Sequence, residues 1–223
     1  MKHVYIVNGS SAYAGLFSRI GYTLTNDIRD ADIVVFTGGE DVSPDLYGAR
    51  KHHTTYNSEH RDRYEADVYR LALQMSIPMV GICRGGQFLN VMSGGEMYQD
   101  VTKHLGDHEL TDLITGEVVR VSSTHHQMMK PSPNGLVVAS ASLGGDRLWW
   151  DHTVFQRDVS NEDIEVVWYE DTKCLCFQPH PEFMGVAYES MFNYFKSLIE
   201  RYFNHTFGKS AAVKEIKICE ECI

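Results

Sequence analysis

One stretch limits what this chain can become: residues 77–95, IPMVGICRGGQFLNVMSGG, with Cys83 at its centre. Ile77 to Ile82 is a short apolar run suited to a buried strand. Phe88, Leu89, Val91 and Met92 then open a helical pattern. Between them, Gly81-Ile82-Cys83-Arg84-Gly85 has the glycine–x–nucleophile–x–glycine form of an elbow joining strand to helix. The flanking glycines have a steric reason, because strand and helix pass close together at so sharp a turn and leave no room for a Cβ. The elbow also sets the sulfur at a helix N-terminus, where the helix dipole favours thiolate. A structural cysteine beside an ordinary turn has the same local pattern, so function depends on what the rest of the chain brings to it.

Upstream, Val4 to Val7 reads as a buried strand, Asn8-Gly9-Ser10-Ser11 as a turn, and Tyr13 to Ile20 as a weak helix. Ile33 to Phe36 is a second buried strand, and it stops at Thr37-Gly38-Gly39-Glu40-Asp41. A glycine pair there exposes backbone N–H groups at a sheet's carboxyl edge, where open α/β sheets bind ligands; alone, it reads first as a plain turn. From Asp62 to Ser76, Ala66, Tyr69, Leu73 and Met75 recur among charges as in an amphipathic helix, which leads through Pro78 to the Cys83 strand. Strand, helix, strand, helix in this order predicts a parallel sheet.

After Gly94-Gly95 the pattern changes. Glu117 to Ser123 and Leu136 to Ala141 read as strands of an antiparallel part, and Leu148 to Ile164 as a loop or insertion. Glu165 to Tyr169 and Cys174 to Phe177 form a hairpin around Asp171-Thr172-Lys173, with Cys174 and Cys176 on one face, assigned to the core. Tyr188 to Phe203 is the last helix, with Met191, Phe192, Phe195, Leu198, Ile199 and Tyr202 on one side.

At 223 residues the chain is long enough for one good core. A net charge of −10 argues against a nucleic-acid partner. No apolar run approaches a membrane span, and Met1 to Val7 lacks a signal-peptide pattern. Five cysteines without framework spacing fit a reduced, cytoplasmic setting.

A cysteine hydrolase needs a thiolate, a histidine to move protons, an acceptor to orient that histidine, and an oxyanion site. Among 11 histidines, His180 stands out, between Pro179 and Pro181 at a strand end where both prolines restrict the backbone. Glu182 is placed to hold the ring nitrogen that does not face sulfur.

Taken together, these segments resemble the class I glutamine amidotransferase-like hydrolases, and within them the gamma-glutamyl-gamma-aminobutyrate hydrolase branch. The matching residues are Thr37 to Pro44 with Leu46-Tyr47-Gly48, Arg61-Asp62 with Glu65, Gly81 to Gln87 with Asn90-Val91, Gly94-Gly95 with Tyr98-Gln99-Asp100, His125-His126-Gln127, and His180-Pro181-Glu182. The resemblance implies an α/β fold: a three-layer, flavodoxin-like, mostly parallel sheet flanked by helices, with a small antiparallel portion. It implies a domain over residues 1–207, leaving 208–223 as a tail outside it. It also implies a catalytic triad of Cys83, His180 and Glu182, oxyanion N–H groups at Gly39 and Arg84, and substrate contacts from Gln87, Ser123, Thr124, His125 and His126. The implied activity is hydrolysis of a gamma-glutamyl amide through a thioester, with a small-molecule substrate and no cofactor or metal. A glutaminase subunit feeding ammonia to a synthetase, and a silent binding module, stay open as alternatives, as do a homodimer and a synthetase partner.

The chain departs from the branch in four places. The segment before Thr37 is short, Pro179 replaces an aromatic residue, and Ser122 replaces an asparagine. Gly144 to Trp150 replaces an Asp-Gly and acidic pattern, with Trp149 and Trp150 read as packing before pocket lining. Cys219-x-x-Cys222 lacks the second ligand pair of a structural zinc site.

Overall fold

The computed structural model describes residues 1–183 and 185–203. The tail expected from residue 208, with Cys219 and Cys222, lies outside the described residues. In chain order the elements are β1 (Lys2–Val7), α1 (Ser11–Ile20), β2 (Tyr22–Leu24), β3 (Ile33–Phe36), α2 (Glu59–Gln74), β4 (Met79–Ile82), α3 (Arg84–Met92), β5 (Glu96–Val101) and β6 (His108–Asp112). They continue with β7 (Val118–Val121), β8 (Met128–Lys130), β9 (Leu136–Ala141), β10 (Arg147–Trp150), β11 (Phe155–Asp158), β12 (Asp163–Tyr169), β13 (Cys174–Phe177) and α4 (Glu189–Phe203).

The large sheet runs β2-β1-β3-β4-β13-β12-β9-β6-β7. From β2 to β13 every neighbour is parallel, and from β13 to β7 every neighbour is antiparallel. A separate antiparallel sheet runs β11-β10-β5-β8. The expected α/β architecture is present: a sheet parallel across its site-bearing half, helices on both faces, and a small antiparallel sheet beside it.

Alternation along the central strands builds the layers. Ile33 and Val35, Val80 and Ile82, and Leu175 and Phe177 face one cluster with Leu16 and Phe17 of α1 and Met191, Phe195 and Leu198 of α4. Val34 and Phe36, Met79, and Cys174 and Cys176 face the other, with Ala66, Tyr69 and Ala72 of α2 and Phe88 and Leu89 of α3. Strands buried on both faces read as continuous apolar runs, which is why these were legible. Burial pushes the Cys174 thiol up to about 12, in keeping with a packing role. Helix α2 starts where Ser58 accepts the Arg61 N–H at 3.4 Å, with Glu59 and Asp62 in the first turn complementing the helix dipole.

The segment read as a loop over 148–164 instead supplies β10, β11 and the start of β12. Trp149 stays partly exposed with Lys130 Nζ 3.4 Å above its ring, while the inward residue of β10 is the buried Arg147. Aromatic residues outside and a charge inside invert the usual strand pattern. Among the described residues no helix is long and apolar enough to cross a membrane.

Candidate active site

Because β4 lies between β3 and β13, three carboxyl-end turns meet: Thr37-Gly38-Gly39 after β3, Cys83 after β4, and Gln178 to Glu182 after β13. Cys83 sits at the apex with φ 52° and ψ −115°, and its N–H donates to the Phe177 carbonyl at 2.8 Å. A side chain on Gly81 would put its Cβ 2.2 Å from the Gly85 carbonyl oxygen, so the tight crossing of the elbow requires glycine. Such strained backbone persists where the surrounding structure fixes it, and it clusters at functional sites.

His180 comes from the neighbouring turn. A Cβ added at Gly38 would lie 3.4 Å from Cε1 of His180 and 3.7 Å from Cβ of Cys83, so imidazole, thiol and glycine turn share one spot. Nδ1 of His180 is 2.8 Å from Oε1 of Glu182, and Phe183 stacks on the ring with centroids 4.8 Å apart. The departure at Ser122 has a use here: its hydroxyl accepts the His180 N–H at 3.1 Å. Burial opposes a charge on the ring, but hydrogen bonding to Cys83 and Glu182 outweighs it and pushes His180 up to about 10. Both contacts therefore favour the charged ring.

The glycine turn is clamped from α2. Arg61 donates to the carbonyl oxygens of Gly38 at 2.9 Å and Thr37 at 3.1 Å, and to Glu65 at 2.8 Å. Gly39, the expected oxyanion donor, has φ +143°, and a side chain there would collide with this guanidinium. The buried Arg84 side chain reaches back to Asp62 and Glu65, tying the residue after the nucleophile to the same helix. Its N–H opens α3, among the first-turn donors that lack partners within the helix.

The expected substrate residues divide. Thr124 is exposed and its hydroxyl lies 2.9 Å from Nε2 of His180. His126 is partly exposed beside Asp41, with 3.2 Å between Nε2 and the carboxylate, whose hydrogen bond raises its pKa. Ser123 and His125 turn the other way: the Ser123 hydroxyl donates to the His104 carbonyl, and Nδ1 of His125 donates to the Gln127 carbonyl at 2.9 Å. Burial, reinforced by His104, holds the His125 pKa well below the usual imidazole value. Gln87 is buried, donating to the Gln127 carbonyl at 2.9 Å and to Gln178 at 3.2 Å, and does not face solvent.

A family model described as Peptidase C26 matches residues 21–146. The chain belongs to the Peptidase C26 family. It is 32% identical over 157 residues to the glutamine amidotransferase-like YvdE homolog of Lactococcus lactis subsp. cremoris, covering 56% of this chain and 84% of that relative. It is 30% identical over 142 residues to the carbamoyl phosphate synthase small chain of Photorhabdus laumondii, covering 62% of this chain and 33% of that one. A solved glutamine amidotransferase from Thermotoga maritima shares the fold, with a TM-score of 0.56 at 15% identity over 90% of this chain and 84% of that one. These likenesses set this Peptidase C26 member within the class I glutamine amidotransferase-like superfamily.

Two residues beside the Peptidase C26 elbow escaped the sequence reading. Tyr13 of α1 accepts the Gly38 N–H at 3.0 Å, and burial followed by the charge of Glu182 raises its pKa, so it stands between glycine turn and carboxylate. Nothing local marks it, since a tyrosine on an amphipathic helix is ordinarily core. Gln178, whose Nε2 lies 3.8 Å from Sγ of Cys83, is marked only by its place at the end of the β13 strand, before Pro179 and His180.

Proposed function

We propose that this protein is a cysteine-dependent amidohydrolase that cleaves the gamma-glutamyl amide bond of glutamine or a gamma-glutamyl amine. The observation that carries this reading is the meeting of Cys83 and His180 at the Gly38 turn, with Glu182 holding Nδ1 of His180 at 2.8 Å. In this mechanism the Cys83 thiolate adds to the amide carbonyl, and the resulting oxyanion is met by the N–H groups of Gly39 and Arg84. Losing one such donor typically costs about 3 kcal/mol of barrier, which gives the Arg61 clamp on the glycine turn a catalytic reason.

Collapse of the tetrahedral adduct breaks the C–N bond as His180 gives its proton to the departing amine, leaving a thioester. His180, now neutral, takes a proton from water; the hydroxide adds to the thioester, and glutamate leaves as the thiolate reforms. Thr124 and His126 are assigned to the glutamyl group, with Gln87 holding the Gln127 carbonyl of their loop and Ser123 and His125 supporting it from behind.

The test is to incubate the purified protein with glutamine and a panel of gamma-glutamyl amines and to measure glutamate. Mass spectrometry of a quenched reaction is expected to find a glutamyl adduct on Cys83. A folded protein that releases no glutamate from any of them overturns the reading. The similarity to a carbamoyl phosphate synthase small chain favours a second reading, a glutaminase subunit serving a synthetase. Glutamine turnover that rises only when a co-purifying protein is added back would select it.

A further inference from the structure

Behind the 122–127 loop, on the side away from Cys83, lie His104, His108, His125, Asp163 and Glu165, all buried and none used in the reaction above. His104 is 2%, His125 5% and Glu165 0% exposed. Nδ1 of His104 is 3.6 Å and Nε2 of His125 is 3.9 Å from Oε1 of Glu165, and one donor atom from each residue lies within 4.8 Å of the others. Those two nitrogens, together with Oε2 of Glu165, have no hydrogen-bond partner among the described residues. Buried polar atoms without partners are rare, and three on neighbouring residues need an explanation.

The far side of each ring supplies one. A backbone carbonyl only accepts, so His125 must carry its proton on Nδ1, toward Gln127, and present a lone pair at Nε2. Nε2 of His104 faces Asp163 at 3.5 Å, so the neutral ring donates there and has its lone pair on Nδ1. Both unpartnered nitrogens thus lie on the side of Glu165. Metal-ligating histidines are oriented this way, with the opposite N–H held by a carbonyl or carboxylate. The separations from Oε1 are too long for hydrogen bonds. They are slightly wider than the roughly 3.4 Å edge of a tetrahedral site with bonds near 2.1 Å.

We propose that His104, His125 and Glu165 bind one divalent transition-metal ion of the zinc class, with Asp163 and the Gln127 carbonyl orienting the two rings. His108, with Nε2 3.1 Å from Oε1 of Glu165, buttresses the carboxylate. The ligands come from the β5–β6 connection, the 122–127 loop and β12, so the ion pins that loop to the antiparallel half of the large sheet. On its other side the loop carries Thr124 against His180. The ion is therefore structural, and it supports the loop on which the candidate active site leans. No short spacing in the sequence announces it, since the ligands are scattered over 104, 125 and 165, against the expectation of no metal.

The test uses the full chain without a histidine tag and in a Cys83→Ala background, stripped with chelator and titrated with Co2+ and then Zn2+. One equivalent of Co2+ is expected to bind with visible ligand-field bands but no thiolate charge-transfer band, to be displaced by Zn2+, and to raise the Tm. Glu165→Gln and His104→Gln should weaken Zn2+ binding more than about 100-fold. Should those variants not fold, crystals of the unsubstituted chain grown with Zn2+ decide, by anomalous scattering at the zinc edge. An ion at the three ligands upholds the proposal. No ion there, or equal affinity in folded variants, overturns it. These readouts do not depend on hydrolysis, so this proposal and the amidohydrolase reading fail separately.

Discussion

The Thr124 hydroxyl lies 2.9 Å from Nε2 of His180, on the nitrogen opposite the one that Glu182 holds at 2.8 Å. Nε2 is also the nitrogen that must serve Cys83, and it carries a single proton or a single lone pair. Thr124 therefore shares this position with sulfur and keeps the ring aimed when substrate is absent. Replacing the hydroxyl by a methyl group in Thr124→Val is expected to lower kcat/KM about fivefold, the worth of one hydrogen bond of about 1 kcal/mol, with Thr124→Ser restoring it. Steady-state kinetics on a gamma-glutamyl amide check this, and equal rates for Val and Thr would remove the hydroxyl from the mechanism.

Cys83 sets two expectations that separate chemistry from strain. Cys83→Ala should abolish glutamate release while leaving the fold intact. Cys83→Gly should be equally inactive but more stable than the alanine variant by about 1 kcal/mol, because φ 52° with ψ −115° is strained for any residue with a Cβ. Thermal denaturation of the two variants side by side measures the difference.

Tyr13 joins the Gly38 N–H to the surroundings of Glu182. Tyr13→Phe removes the acceptor for that N–H and lets the glycine turn relax, while the ring still fills its place in the core. The expected outcome is a fall in kcat of about tenfold with KM little changed, since an oxyanion site acts on the transition state more than on bound substrate. A rise in KM at constant kcat would instead assign Tyr13 to substrate binding.

The contrast between Cys83 and His125 shows what a sequence can carry. Elbow, glycine turn and His-Pro-Glu run were legible because each is a local steric or chemical device, and the apolar strands beneath them because they are buried on both faces. Strands β5 and β6 were not. In β6 the inward residues are His108, Leu110 and Asp112, and in β5 they are Met97, Gln99 and Val101, so polar groups satisfied inside the protein break the alternation. The Ser-Thr-His-His run stood out as a motif, but the direction of each side chain depends on what the third dimension puts behind the loop. Thr124 met His180, whereas His125 met Glu165.

Glu65, fully buried on α2, receives hydrogen bonds from Arg61, Arg84 and Asn8. Glu65→Ala leaves a surplus buried positive charge between two guanidinium groups. Breaking a buried pair from one side typically costs about 3–5 kcal/mol. For a chain of this size that is a Tm lower by about 10 °C, measured by calorimetry. A drop within 2 °C would mean that water or rearrangement reaches Arg84 more easily than its burial implies.

The imidazole of His180 should also write itself into the pH dependence of stability. Its pKa rises from 6.5 in the unfolded chain to about 10 in the fold, so the folded state binds the proton more tightly. The stabilisation is fully present below about pH 6.5, shrinks as the pH climbs, and is gone above about pH 10. Over that window wild type should lose stability relative to His180→Asn, in which residue 180 no longer titrates. Urea denaturation of both proteins at pH 6, 8 and 9.5 gives the difference directly, and a difference that stays flat would mean the ring is neutral in the fold. A flat result would also oblige the departing amine to take its proton from some group other than His180.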